Sequence, residues 1–281
     1  MIRVPGTRLR LVYGSEMPEQ ESIDRRRRLI EFVGGYSKLM VRYRATRPRW
    51  LWRVTSPFGK PTTRLVERYG PEVRRGPFQG TKFSKNSLGH ANYLAAKVLG
   101  TYEPEIVRFL ADHVPSSATF VDIGSGEGFF CMGVARSGPI RVIGFETNRF
   151  ERKLALENAH VNGVKIELRG FADSEALSDL PDGKLLLLSD IEGFEEDLLD
   201  PETSPRLLTA TMAVEIHEHI RPNVVSVLTE RFRDSHVIER IGMTERSTDL
   251  PELAGWDEKS AALAVNDGHL ARDGWMTFVP K

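Results

Sequence analysis

Asp122, Gly124, Ser125, Gly126 and Glu146 carry the clearest chemical signal in this sequence. Residues 119–123 form an apolar run broken only by Asp122. The run stops at Gly124-Ser125-Gly126-Glu127-Gly128, and residues 129–136 resume with helical spacing. Glycine lets a backbone turn sharply and lie against a ligand, because a Cβ would obstruct both. Residues 141–145 then read as a second strand that ends on Glu146, 22 residues beyond Gly124. In a doubly wound fold, that is about where a carboxylate holds the two hydroxyls of a ribose. The pattern predicts a nucleoside-binding strand, turn, helix and strand, with Thr147 beside the acid.

The dinucleotide fingerprint G-x-G-x-x-G is not met, since Phe129 takes its last position. Asp122, two residues before the first glycine, would repel a pyrophosphate. The same carboxylate suits a ligand bearing an amino group or a sulfonium. With a ribose acid on the following strand, D-x-G-x-G resembles the S-adenosylmethionine-dependent methyltransferases of the Rossmann-like class. A bare glycine turn in an α/β protein is the plainer explanation, and the paired acids weigh against it.

A second motif lies in Leu186-Leu-Leu-Ser-Asp190-Ile-Glu192-Gly193-Phe-Glu195. It resembles the D-x-E-G-x-E signature that FkbM-type methyltransferases carry at their fourth strand. Leu99-Gly-Thr-Tyr102-Glu103-Pro-Glu105 is similar to the leader that this family places before its first strand. The resemblance covers roughly residues 80–245, and the first eighty residues carry none of it. It implies S-adenosylmethionine as the donor and a hydroxyl of a sugar, polyketide or related metabolite as the acceptor. A common version of the family has Asn-x-Gly in the glycine turn, where this chain has Ser125-Gly126-Glu127-Gly128.

Ligands of open α/β sheets bind beyond the carboxyl ends of the strands. Four such ends are polar here: Asp122, Glu146, Asp190 with Glu192, and Glu215 with His217. Asp173, shortly after the third strand, is placed to reach an adenine edge. Asp190 is expected beside the first strand, at the sulfonium end of the cofactor. Methyl transfer from a sulfonium is an in-line displacement in which the protein chiefly aligns donor and acceptor. A hydroxyl acceptor also needs a base or a metal, and Asp190, Glu192 and His217 are the catalytic candidates. For His217 the alternative is a hydrogen-bonded strand-end histidine without a chemical role. The metal alternative is an oxygen-rich magnesium site built from Asp190, Glu192, Glu215 and His217. Glu215-Ile216-His217-Glu218-His219 lacks the H-E-x-x-H spacing of a helical zinc site.

The elements that must position these residues follow from periodicity. Helices are predicted near 63–69 and over 91–99, 104–113, 149–161 and 224–233, with another in the residues ending at 205–208. Strands are predicted over 119–123, 141–145, 165–169, 184–189 and 212–217. Residues 236–241 and 275–279 read as a terminal antiparallel hairpin. The fold class is therefore α/β, with a seven-stranded, mostly parallel doubly wound sheet and an N-terminal helical and loop-rich extension. Residues 1–88 are assigned to the extension, as a lid or acceptor-binding part, and 89–281 to the methyltransferase domain.

The composition is ordinary for a soluble protein, with 28% charged and 40% hydrophobic residues. No apolar run reaches the ~20 residues of a membrane span. The opening residues lack the apolar core of a secretory signal, and Cys131 is the only cysteine, so a cytoplasmic setting is expected. A formal net charge of zero conceals an asymmetry: residues 1–85 hold 20 Lys/Arg against 7 Asp/Glu, and the remainder 19 against 32. A basic amphipathic helix over 22–47, followed by Trp50 and Trp52, is expected to dock on the core, with peripheral membrane contact as its alternative. Its aromatics follow no RNA-binding signature, so a nucleic-acid partner is not expected. Two rivals stay open: an N-methyltransferase, and a non-catalytic cofactor-binding scaffold whose basic arm meets anionic partners.

Overall fold

The two central strands, Thr119–Ile123 and Leu185–Ser189, are buried along their whole length. Near-continuous apolar runs of this kind mark strands covered on both faces of a parallel sheet. The computed structural model describes residues 56–281 except 90–92, 243 and 269–273. The basic helix expected over 22–47, with Trp50 and Trp52, lies outside the described residues. Those described belong to a unit spanning Ala45–Lys281.

In chain order the elements are α1 (Gly59–Tyr69), α2 (Leu94–Leu99), α3 (Pro104–His113), β1 (Thr119–Ile123), α4 (Phe129–Ser137), β2 (Arg141–Phe145) and α5 (Arg149–Asn162). There follow β3 (Glu167–Arg169), α6 (Ser174–Ser178), β4 (Leu185–Ser189), α7 (Glu195–Leu198), β5 (Thr211–Ile216) and α8 (Val224–Phe232). The last are β6 (His236–Gly242), α9 (Glu258–Val265) and β7 (Gly274–Pro280). The seven strands form one sheet in the order β3-β2-β1-β4-β5-β7-β6. β1 to β5 pair in parallel, while β7 runs antiparallel to both β5 and β6. The expected seven-stranded, mostly parallel sheet is present.

The sheet alternates its side chains between two cores. Phe120, Val142, Leu186, Leu188, Ala213 and Trp275 face the core that α3 and α4 cover, with Ile106, Leu110 and Met132. Val121, Ile123, Ile143, Leu187, Val214 and Phe278 face the other, with Val224, Leu228 and Phe232 of α8. Strand order reverses between β1 and β4, the point where an open α/β sheet leaves a crevice for a ligand.

Local signals set the helix ends. Asn148 caps α5 by accepting from the backbone N–H groups of Phe150 and Glu151, and left-handed Gly163 ends it. Pro104 opens α3, where its missing N–H costs nothing. No described helix is long and apolar enough to cross a membrane.

Three details differ from expectation. α1 begins at Gly59, earlier than its apolar spacing indicates, and its Leu65 joins Val73, Phe78 and Phe83 in the core shared with β1 and β4. The stretch ending near residue 208 divides into the one-turn α7 and a 3₁₀ segment, Pro205–Thr209. β7 pairs with β6 as expected, but it also inserts beside β5, and α9 lies in the long connection between them.

Candidate functional site

The glycine turn is built around close backbone approaches. Gly124 has φ +90°, and the Asp190 N–H donates to the Ile123 carbonyl at 2.9 Å, bringing the end of β4 over the turn. Gly128 (φ +82°) caps α4 against Ala155 of α5. Glu146 braces the turn from the end of β2. Its Oε2 accepts from the Gly126 N–H at 3.0 Å and its Oε1 from the Asn148 N–H at 2.7 Å. Burial pushes the Glu146 carboxyl up, and those two backbone bonds oppose the push. Thr147 is exposed beside it.

Beneath the turn lies a layer of buried charge. Asp122 is 1% exposed and accepts from the Cys131 thiol at 3.2 Å. Burial drives its carboxyl up to about 7; the thiol opposes this, and the charges of Glu146 and Glu103 add to it. Lys97 is buried, pairs with Glu127, and sets its ammonium 4.4 Å from the centre of the Tyr102 ring. Burial works against the Glu127 charge, but Lys97 outweighs it and holds the carboxyl below its usual range. Asn158, fully buried on α5, donates to the Glu127 carbonyl at 2.9 Å. Its Oδ1 accepts from the Ser84 N–H at 2.8 Å and the Ser87 hydroxyl at 2.9 Å. One amide thus ties residues 84–87 to the glycine turn.

The ends of β4 and β5 bring Asp190, Glu192 and His217 together. Nε2 of His217 stands 3.8 Å from Asp190 Oδ1, 3.6 Å from Glu192 Oε2 and 3.7 Å from Glu215 Oε2. Its Nδ1 lies 3.0 Å from Oε1 of Glu195, a carboxylate with no exposure that also accepts from the Ile191 N–H. An ionised carboxylate only accepts, so the proton between them sits on Nδ1. Burial of His217 disfavours its charged form, but Glu195, Glu215 and Glu192 prevail and raise its pKa. Burial raises Asp190 well above the usual carboxylate range, and Glu215, Glu103 and Glu192 push the same way.

Asp173 is exposed and caps α6 by accepting from the Ala176 N–H at 2.8 Å, which already explains an acid at that position. Ser125 is buried within the turn. Two residues emerge that sequence reasoning passed over. Glu195 stands in the D-x-E-G-x-E motif, yet only the fold shows that it orients His217. Glu103 is 1% exposed and bears on both Asp122 and Asp190. Among the described residues, Glu103 (φ +42°) and Glu192 (φ +54°) are the non-glycine positions with positive φ. Both are acids whose charge reaches Asp190. Left-handed backbone costs a non-glycine residue about 1–2 kcal/mol, and such strain gathers at functional sites. No signal in the sequence marks either angle: Pro104 turns the residue before it from the helical region toward extended backbone, not toward positive φ.

No family model matches the chain. A tRNA (uracil(54)-C(5))-methyltransferase from Pyrococcus furiosus is 29% identical over 140 residues, which cover 48% of this chain and 28% of that protein. The chain therefore spans little more than a quarter of that curated relative. Among solved structures, the Pyrococcus abyssi tRNA (uracil-54, C5)-methyltransferase bound to S-adenosyl-L-homocysteine aligns with 68% of this chain and 40% of its own, at 15% identity and a TM-score of 0.44. An O-methyltransferase from Bacillus cereus, also with S-adenosyl-L-homocysteine, aligns with 64% of this chain and 82% of its own, at 14% identity and a TM-score of 0.42.

Proposed function

We propose that this chain is an S-adenosylmethionine-dependent methyltransferase acting on a hydroxyl of a sugar, polyketide or related small metabolite. The observation that carries the reading is the charge around the glycine turn. Asp122, Glu103, Glu146, Asp190, Glu192 and Glu215 gather there, while Lys97 is engaged by Glu127 and Arg152 by the Glu146 carbonyl. Such a site repels a dinucleotide's pyrophosphate and attracts a donor with a sulfonium and an ammonium group. In this reading Glu146 receives the ribose hydroxyls, Gly124, Ser125 and Gly126 line the amino-acid end, and Asp190 borders the sulfonium. Thr147 and Asp173 are assigned to the adenosine side.

The reaction is an in-line displacement. The acceptor oxygen forms a bond to the methyl carbon as the carbon–sulfur bond breaks, and its electron pair leaves the sulfur as a neutral thioether. The acceptor's proton must be removed or its pKa lowered, the task of the Asp190, Glu192 and His217 cluster. Glu195 keeps Nδ1 protonated and turns Nε2 toward that space. A nitrogen acceptor would ask less of this cluster.

A second reading, with a nucleic-acid acceptor, is favoured by the name of the Pyrococcus furiosus relative and by the basic residues of 1–85. One experiment tests both. The full chain is incubated with methyl-labelled S-adenosylmethionine and either a panel of hydroxylated metabolites or total tRNA, and label transfer is counted. Label in a metabolite supports the first reading, and label in tRNA alone replaces it with the second. Absence of S-adenosylhomocysteine binding by calorimetry would sink both.

A further inference from the structure

We propose that Asp190, Glu192 and His217 form a binding site for a divalent first-row transition-metal ion. The His217 ring is 4% exposed and its Nδ1–H is held by Glu195, so the direction of Nε2 is fixed. Among the described residues Nε2 has no hydrogen-bond partner. The carboxylate oxygens around it, at 3.6, 3.7 and 3.8 Å, are too distant for one. Two ligand atoms each ~2.0–2.2 Å from a shared ion stand ~3–3.6 Å apart, close to these separations. One atom from each of the three residues lies within 4.8 Å of the others.

Two further observations point into the same space. Asp190 Oδ1, the oxygen nearest Nε2 on that residue, is buried and receives no N–H among the described residues, the Glu215 carboxyl being the group beside Asp190. A buried oxygen left in that state costs stability unless something else satisfies it. Glu192 reaches the pair from a left-handed backbone, a conformation that persists only where its surroundings impose it. A carboxylate hydrogen-bonded to the far nitrogen of a histidine is the arrangement that orients metal-ligating imidazoles.

The donor set selects the ion. Magnesium and calcium favour all-oxygen ligands, whereas an imidazole among carboxylates suits manganese, iron, cobalt or zinc. This departs from the magnesium expected for Asp190, Glu192, Glu215 and His217 in the sequence. The ion's role as activator of the acceptor hydroxyl rests on the methyl-transfer reading above; its binding does not.

To test it, the full chain is stripped with EDTA, dialysed and titrated with MnCl2, and free Mn2+ is read from the six-line resonance of the aqua ion. One Mn2+ per chain is expected, displaced by Zn2+, with Mg2+ binding at least tenfold more weakly. Glu192→Gln changes a side chain that is 78% exposed, and is expected to weaken Mn2+ binding at least tenfold without unfolding the protein. Glu195→Gln retains all three ligands and is expected to weaken binding about tenfold. No saturable binding, or wild-type affinity in Glu192→Gln, overturns the site. Mg2+ binding as tightly as Mn2+ overturns the part given to the imidazole. Neither cofactor nor acceptor is needed, so the outcomes separate. A chain that binds Mn2+ yet transfers no methyl group sinks the proposed function alone, and an active chain that binds no metal sinks this site alone.

Discussion

The carbonyl oxygen of Asp190 occupies the space where a side chain on Gly124 would begin, since a Cβ there would stand 1.9 Å from it. The obstacle is backbone, which cannot swing aside, and φ at Gly124 is +90°. Gly124→Ala is therefore expected to cost more than about 2 kcal/mol in urea denaturation. It should also weaken S-adenosylhomocysteine binding at least tenfold by calorimetry. Gly126→Ala meets nothing within 4 Å and bears only the strain of φ +50°, about 1 kcal/mol. Similar losses in the two variants would contradict this account of the turn.

Glu146 is expected to act on the cofactor and on the turn together. Charge-assisted hydrogen bonds contribute ~1.5–3 kcal/mol each, so Glu146→Ala should raise the Kd for S-adenosylmethionine at least tenfold. The loss of its bonds to the N–H groups of Gly126 and Asn148 should lower stability modestly. An unchanged Kd in a folded variant would remove Glu146 from the ribose site.

Asp122 gives the ligand-free protein a pH dependence of defined sign. Its carboxyl titrates near 3.8 when unfolded and about 7 when folded, so between those values the folded state binds the extra proton. Its contribution to stability is thus present at low pH and lost as pH rises through that window. At ~1.4 kcal/mol per pH unit the full effect is up to about 4 kcal/mol. Asp122→Asn should gain stability relative to the wild type from pH 4 to pH 7, as followed by chemical denaturation. A constant difference across that range would show that Asp122 ionises freely in the fold.

Asn158 is expected to couple residues 84–87 to the site. Asn158→Ala strands the Ser84 N–H and the Glu127 carbonyl, at about 1–3 kcal/mol for each group left unsatisfied, and leaves the Ser87 hydroxyl only its 3.4 Å contact with Ser84 Oγ. Cofactor binding should weaken as well, because Glu127 belongs to the turn. A destabilised variant with wild-type cofactor affinity would confine Asn158 to a structural role.

The strands were legible because burial writes itself into composition. Residues 119–123 and 141–145 match β1 and β2 residue for residue, and β4 and β5 differ from their predicted spans only at the ends. The short helix α6 was not legible: it has five residues, and a single turn shows no period. Within the site, Asp190, Glu192 and His217 were read from strand-end position, and the sheet order brings them together. Glu195, Glu103 and Asn158 were beyond that logic. What matters about each is a partner 22 to 74 residues away or a backbone angle, and neither is expressed in local periodicity.

β7 is the seventh strand in the chain but the sixth in the sheet, lodged between β5 and β6. During synthesis, the ribosome must deliver residues 274–280 before β6 has any partner and before the open edge of β5 is covered. Until then the nascent protein presents an unpaired, apolar strand edge, the kind of surface on which chains associate wrongly. Completion of the sheet is thereby postponed until its seventh strand is made, and the interval before it is when a chaperone would be needed most.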